Sequence, residues 1–548
     1  MSTPSTVSSA ELNELLILGS VPRMIDVRTP TEFETVHIPG AYNVPLDLLR
    51  EHRNEIVTHG DDDIVLVCRS GQRARAAEEA LRGAGQTNVR ILDGGITAWQ
   101  SMGFSICRDT ERCDLEGRMR LSSLVLRRCP ITDLPVVVIG AGPQGLAAAA
   151  HLLQRGLEPL VVEAGDGPGA AVAHWGHVRM FSPWPELVDE ASARLLAPTG
   201  WTRPTSGYPT GREWVERYLV PLGNALGERV RYRQRVIGVS RQGHDRVLTP
   251  GRQNAPFVVH LTGDDGAESQ LRARAVIDAS GTWSQPNPVG SDGLSAIGER
   301  AAAAAGLITY IPPTPEQAAS WAGRHVVVVG SGHSAMTAII GLAEIVRHEP
   351  TTRVTWALRR GESGDTSGGP ANSVLPQRDA LCTQVQAAAD EGLVSLVTGF
   401  RTERVDVDGT QVVLVAEDGR ALPAADMVVA LTGFRPNLSF LSELRLALDP
   451  VLQAPIKLAP QIDPNVHTCG SVPPHGAAEL SHSDEPGMYV VGMKSYGRAP
   501  TFLALTGYEQ VRSVTAELAG DHEAARRVEL VVPGASLGDE TSPSTELS

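Results

Sequence analysis

The first hundred residues alternate short apolar runs with stretches in which apolar positions recur every three or four residues. RMIDVR, AYNVP, DIVLVC and VRILDGG read as strands, and SAELNELLILG, RARAAEEALRGAG and GITAWQSMG as helices. This alternation predicts an α/β unit around a largely parallel sheet. From 109 to 134 the period is lost among arginines and cysteines, which predicts a linker. Two further apolar runs stand beyond it, PVVVIG at 135–140 and HVVVVG at 325–330. Each ends in glycine and leads into a helical stretch, the pattern of a buried parallel strand feeding a tight turn and a helix. They form the one near-repeat in the sequence. Residues 521–548, ending GDETSPSTELS, are polar and predict a frayed tail.

At 548 residues the chain is too long for one core and implies three or four domains. A net charge of −15 argues against nucleic acid or an anionic membrane surface as the main partner. No apolar run reaches the roughly 18–20 residues that span a bilayer. The opening MSTPSTVSSAELNELL lacks the basic stretch and apolar core of a secretory leader. Six cysteines, at 68, 107, 113, 129, 382 and 469, show no CxxC spacing. In so long a chain this predicts free thiols in a reducing compartment. The expectation is a cytoplasmic multidomain protein acting on small molecules, without nucleic-acid or membrane partners, and with a homodimer as the candidate assembly.

Cys68 is placed for chemistry. It ends an apolar strand and precedes a short loop and a helix. A thiol there faces backbone N–H groups and the positive end of the helix dipole, and Arg69 and Arg73 add positive charge. Both effects favour the thiolate, the nucleophilic form; an inert cysteine at a strand end is the other reading of the loop alone. The surroundings resemble the rhodanese family. Asp26-Val27-Arg28, Glu32, His37-Ile38-Pro39-Gly40-Ala41, Asn43, the six-residue loop from Cys68 to Arg73, and Gly94-Gly95 with Trp99 occur in order. The resemblance implies a rhodanese-like α/β domain over 1–108. In it Cys68 takes a sulfane sulfur from a donor as a persulfide, loop N–H groups cradle the outer sulfur, and Arg69 and Arg73 stand beside it. Asp26 and Arg28 read as structural.

PVVVIGAGPQGLAAAAHLLQRGLEPLVVEAG places Gly140, Gly142 and Gly145 between a strand and a helix, with Glu163 ending the next strand. The first glycine permits the turn, the second lets backbone approach a pyrophosphate, and the third lets helix and strand pack; the acid suits a ribose 2′-hydroxyl. HVVVVGSGHSAMTAIIGLAEIVRHEPTTRVTWALRR repeats the pattern with Gly330, Gly332, Ser334 and Ala335. Here the second strand runs into Arg359-Arg360, where an NAD site would carry an acid. Guanidinium groups fit a 2′-phosphate, so NADPH is the expected second cofactor.

Two such units resemble the flavoproteins with two dinucleotide-binding domains, whose first unit binds FAD and whose inserted second unit binds NAD(P)H. AVIDASGTWSQPNP (275–288) and DMVVALTGFRPN (426–437) resemble that group's chain crossings. GMYVVGMKSYGRAPTFLALTGYEQV (487–511) resembles the late strand that returns to the flavin, with Gly492 at the cofactor and Met493 where many relatives carry an aspartate. The implied layout is a Rossmann-type FAD-binding domain in two parts, 135–300 and 426–520, interrupted by a Rossmann-type NAD(P)H-binding domain at 301–425.

Disulfide reductases of this group need a redox cysteine pair beside the flavin; none follows Glu163, and Cys382 stands alone between 325 and 425. Two outlets remain for reduced FAD: oxygen, with transfer of an oxygen atom to a substrate, and direct reduction of a substrate. VVGSGHSA, the arginine pair and ASGTWSQPNP resemble the flavin-containing monooxygenases, which favours the first. That group's fingerprint histidine before the second glycine turn is missing, and Tyr310 is the match to its aromatic. The combined expectation is an FAD- and NADPH-dependent, monooxygenase-like oxidoreductase acting on a small soft sulfur-type substrate. Reduction of a persulfide or polysulfide and a rhodanese sensor module are the alternatives. AHWGHVRMFSPW (173–184) reads either as lining of the flavin face or as core. His467, Cys469, His475 and His482 are of metal-ligand type but in no zinc spacing, so no metal is expected.

Overall fold

The computed structural model describes residues 6–530 apart from 18–21, 40, 52, 54–62, 105, 107–130, 362–375, 467–471, 500 and 501. The chain forms two compact units, 1–126 and 127–548. Most of the expected linker lies outside the described residues; near its end, Ile131–Asp133 makes one 3-10 turn.

In the first unit five parallel strands, β1 (Thr6–Val7), β2 (Arg23–Asp26), β3 (Tyr42–Asn43), β4 (Ile64–Val67) and β5 (Val89–Leu92), lie in the order β1-β5-β4-β2-β3. Helices α1 (Ser9–Ile17), α2 (Gln72–Gly83) and α3 (Gly95–Ser101) accompany them. Strand β4 shows why its run is apolar throughout. Ile64, Leu66 and Cys68 join one core with Ala74, Ala77 and Leu81 of α2, while Val65 and Val67 join the opposite core with Leu12, Ile96 and Trp99. A strand covered on both faces has no position to leave polar. Buried Asp26 and Arg28 pair at 2.6 Å, and Arg28 also donates to Val36 O. This pair closes the end of β2, the structural role expected for it.

The second unit holds a parallel sheet ordered β20-β12-β6-β7-β8. Its strands are β6 (Val136–Ile139), β7 (Pro159–Val162), β8 (Val230–Arg231), β12 (Ala275–Asp278) and β20 (Met488–Val490). Helix α4 (Pro143–Gln154) leaves β6. The three-stranded antiparallel sheet β9 (Gln234–Arg241), β10 (Phe257–Gly263) and β11 (Glu268–Ala273) covers one face, sharing a core with Val137 and Ile139. A second parallel sheet, β13-β19-β14-β15-β16, comprises β13 (Ile308–Thr309), β14 (His325–Val329), β15 (Arg353–Ala357), β16 (Ser395–Val397) and β19 (Met427–Ala430). Helix α5 (His333–His348) leaves β14, and β17 (Thr402–Asp408) and β18 (Gln411–Ala416) form a hairpin. Near the end, α6 (Ala504–Leu518) and α7 (His522–Arg526) follow β20. Among the described residues no helix is long and apolar enough to cross a membrane.

The core and sheet of the inserted part extend past 300/301 and 425/426. Val289, Ala296 and Ala302 share a core with Val405 and Leu414, and β19 hydrogen-bonds between β13 and β14. The inserted domain therefore spans about 289–431. The two crossings lie side by side: Asn287 N donates to Gly433 O and Arg435 N to Gln285 O. The tail also begins later than 521. Asp521 caps α7 through Ala524 N, and buried Arg512 donates to Ala524 O, so the chain is anchored through that helix.

Candidate functional site

In the first unit the sulfur of Cys68 is buried and accepts a hydrogen bond from Gly71 N at 3.1 Å. Gly71, at φ +99°, is the N-cap of α2, so the thiol sits at a helix start with an N–H pointing at it. The loop is held from below by α3. Ile96 N donates to Cys68 O, and Thr97 donates to Arg69 O through both N and Oγ1. This close approach explains Gly95: at φ +60°, an added Cβ would lie 2.3 Å from Cys68 O.

The two loop arginines play unequal parts. Arg69 is exposed. Arg73 forms a two-pronged pair with Glu32, at 2.7 Å on each arm. That pair holds the Glu32 carboxyl down to about 2 and raises the Arg73 guanidinium. Arg73 remains electrostatically coupled to Cys68, but Glu32 offsets much of its charge.

In the second unit each glycine of the first turn has its own reason. Gly140, at φ +100°, touches the crossing after β12, where its Cβ would lie 2.9 Å from Ala279 O. A Cβ on Gly145 would lie 1.8 Å from Gly140 O. Gly142 is different: φ is −77° and an added Cβ meets nothing within 4 Å. Open space at the N-cap of α4, in front of free N–H groups, is a cradle sized for a close-approaching pyrophosphate. Glu163 spans the same turn, accepting from Ala141 N at 2.6 Å and Gly165 N at 2.7 Å.

The second turn repeats this. A Cβ on Gly330, at φ +126°, would lie 2.2 Å from Leu431 O, whereas Gly332 faces open space. Ser334 is exposed on the first turn of α5, and Arg359 and Arg360 are exposed just past β15. Arg359 donates to Ser291 O, which orients it.

Several contributors were not foreseen. Lys494 is fully buried and pairs with Asp278 at 2.6 Å, also donating to Ser280 Oγ at 3.0 Å. This ties the end of β12 to the turn after β20. Gly492, at φ +70°, donates its N–H to Gln510 Oε1; Gln510 Nε2 donates to Ser495 Oγ and His475 Nε2. The local signals were an acid inside AVIDAS and a lysine inside GMKSYG, both polar residues in apolar settings.

The aromatic stretch at 173–184 divides between the two readings offered for it. Trp175 and Trp184 pack in the core. His174 instead meets the crossings, where Trp283 donates through Nε1 to His174 Nδ1 and stacks on Phe434, while Phe181 reaches the inserted domain and stacks on His333 at the start of α5. Tyr310 donates to Glu299 at 2.8 Å. Cys382 lies against Met336 Sδ at 3.8 Å, within the helical core of the inserted domain. His467 and Cys469 lie outside the described residues. His475 and His482 are buried and separately hydrogen-bonded, and no three metal-type ligands converge among the described residues.

Residues 8–102 match the family described as rhodanese-like domain, and residues 137–456, more than half of the chain, match pyridine nucleotide-disulphide oxidoreductase. The chain belongs to the pyridine nucleotide-disulphide oxidoreductases, with a rhodanese-like domain fused at its N-terminal side. Membership in this family implies a flavin and a nicotinamide cofactor, and the two glycine turns fit them. The fused domain is 43% identical over 77 residues to the uncharacterized protein YqhL of Bacillus subtilis, 14% of this chain and 60% of that protein. It is 36% identical over 111 residues to thiosulfate sulfurtransferase 16, chloroplastic, of Arabidopsis thaliana, 18% of this chain and 91% of that protein. The oxidoreductase part shares its fold with the bacillithiol disulfide reductase Bdr (YpdA) of Bacillus cereus. The TM-score is 0.53 at 20% identity, covering 71% of this chain and 99% of that one.

Proposed function

We propose that this protein is an FAD- and NADPH-dependent, monooxygenase-like oxidoreductase acting on a small soft sulfur-type substrate, with Cys68 carrying sulfane sulfur in the same chain. One observation carries the reading. In the sequence Cys382 is the one cysteine between residues 135 and 466, and no two of the six cysteines stand in CxxC spacing. The flavin half thus offers no dithiol relay there, and its electrons go to oxygen or to a substrate directly.

A bound flavin would supply two-electron redox chemistry between the nicotinamide and the acceptor. The chain's own part is to bind and orient. The N–H groups at the start of α4 would hold one pyrophosphate and those at the start of α5 the other, and Glu163, held at the turn by Ala141 N and Gly165 N, would accept from the adenosine ribose. Arg359 and Arg360 would supply charge for a 2′-phosphate, and Ser334, on the first turn of α5, a hydroxyl at the pyrophosphate. In the rhodanese-like domain the Cys68 thiolate attacks the outer sulfur of a donor such as thiosulfate. A new S–S bond forms at Cys68, the donor's S–S bond breaks, and sulfite leaves with its electron pair. Gly71 N–H stabilises the negative sulfur.

A second reading, direct reduction of a persulfide or polysulfide, is favoured by the rhodanese-like domain itself, since sulfane sulfur accepts two electrons. Purified protein supplied with NADPH distinguishes the two. NADPH use in air that yields oxygenated sulfur product and little peroxide supports oxygenation. Anaerobic turnover with polysulfide, releasing sulfide, would replace it with the second reading. Thiocyanate formation from thiosulfate and cyanide, lost in Cys68→Ser, tests the sulfur-carrying step.

A further inference from the structure

Two arginines far apart in the chain come together beyond the ends of the parallel strands. Arg435 lies in the second crossing, past the end of β19, and Arg498 lies past the end of β20. Their segments are packed on one another: Lys494 Nζ stands 4.4 Å from the ring centre of Phe440. Burial lowers the Arg435 guanidinium from its ordinary value, and the nearby charge of Arg498 lowers it further.

Neither arginine is answered by an acid among the described residues. Arg435 donates through Nε to Asn287 Oδ1 at 2.8 Å and through Nη2 to Gly293 O at 3.1 Å, and Arg498 donates through Nε to Gln453 Oε1 at 3.1 Å. All three acceptors are neutral. Nη1 of Arg435 and both terminal nitrogens of Arg498 keep their N–H groups uncommitted among the described residues. By contrast, Arg73 pairs with Glu32, Arg241 and Arg252 with Glu485, and Arg512 with Glu509. A chain with 63 acidic side chains against 48 basic ones has acids to spare for such pairs.

Arg498 is also held in place at some cost. Gln453, its acceptor, has φ +58°, which only one other non-glycine among the described residues approaches. Gly497 has φ +58° as well, and an added Cβ there would lie 2.0 Å from Leu452 O, the atom to which Arg498 N donates at 2.7 Å. A left-handed backbone on a residue with a side chain is kept where position matters.

In open parallel sheets, ligands bind beyond the carboxyl ends of the strands. The ends of β12, β19 and β20 converge here, through the paired crossings and through Lys494 bonded to Asp278. The places that suit cofactor phosphates are elsewhere, at the starts of α4 and α5 and at Arg359 and Arg360 past β15. We infer that Arg435 and Arg498 form the subsite for the negative head of the substrate, a small sulfur oxyanion of the thiosulfate or sulfite type rather than a neutral thiol. Guanidinium forks match oxyanions in shape and charge. This inference rests on the sulfur-type substrate proposed above.

The test uses the full-length FAD-bound protein carrying Cys68→Ser, which blocks sulfur transfer at that loop. Sodium thiosulfate is titrated in by calorimetry at constant ionic strength, and adenosine 2′,5′-bisphosphate, a fragment of NADPH, is titrated separately. Adding Arg498→Gln is expected to weaken thiosulfate binding roughly tenfold and leave the nucleotide affinity as it was. Arg498→Lys is expected to lose less, and Arg435→Gln, the second variant, to act like Arg498→Gln. Absence of saturable thiosulfate binding, equal binding by the variants, or a loss confined to the nucleotide overturns the inference. NADPH oxidation with an artificial acceptor reads the enzyme separately: its absence sinks the flavoenzyme reading, and the substrate role of this pair with it.

Discussion

Gly142 and Gly145 are the same residue used for opposite reasons, and substitution separates them. Gly145 is glycine because the fold leaves no room, so Gly145→Ala is expected to give little folded protein, as judged by soluble yield and circular dichroism. Gly142 has ordinary φ and open space, so Gly142→Ala should melt like wild type without flavin yet retain less FAD, read from the ratio of flavin to protein absorbance. The cysteine loop permits a parallel argument from charge. Glu32 offsets Arg73 near Cys68. Glu32→Gln is therefore expected to speed sulfur transfer from anionic thiosulfate several-fold, and Arg73→Ala to slow it, both measured as thiocyanate formation at low salt.

Among the elements, β9, the loop before β10 and the approach to β20 are locked by a buried trio. Glu485 accepts from Arg252 at 2.6 Å and from Arg241 at 3.1 Å, and Arg241 lies over the Phe257 ring. Removing the shared acid strands two guanidinium groups. Glu485→Gln is expected to cost about 3–5 kcal/mol of stability, measured by urea unfolding of the second unit. The same region carries an acid sensitivity. Burial pushes His482 down from 6.5 to about 4, and its Nδ1 accepts from Ala447 N. Between those two values the unfolded chain binds the proton and the fold does not. Stability therefore falls as pH drops from 6.5 toward 4 and is indifferent to this group above 6.5. His475, also lowered by burial, adds in the same direction. Melting temperatures at pH 7, 5.5 and 4.5 check this, and His482→Asn should flatten the slope.

For the molecule as a whole, the parts legible in the sequence were those that short-range physics determines. Apolar runs became two-faced strands, the glycine spacings became turns, and α4 and α5 start where their patterns start. What escaped depends on residues far apart in the chain. Asp278 finds Lys494, Arg241 finds Glu485, and Arg73 finds Glu32, and no local pattern names those partners. Whether the two units act on one another is a question for the intact chain. If they do not communicate, Cys68→Ser abolishes thiocyanate formation while NADPH oxidation with an artificial acceptor is unchanged; altered NADPH oxidation would favour the sensor reading.

The paired crossings at 285–287 and 433–435 carry a consequence for how such a molecule can be remade. Because the strand leaving the flavin half and the strand re-entering it are neighbours, the ends of the inserted domain meet at one point. Excising residues 289–431 and rejoining the ends over a short turn is therefore expected to leave the route of the rest of the chain unchanged, as circular dichroism of the shortened protein would check. The inserted segment is in this sense a detachable part of the chain, while the half around the first glycine turn keeps its own core.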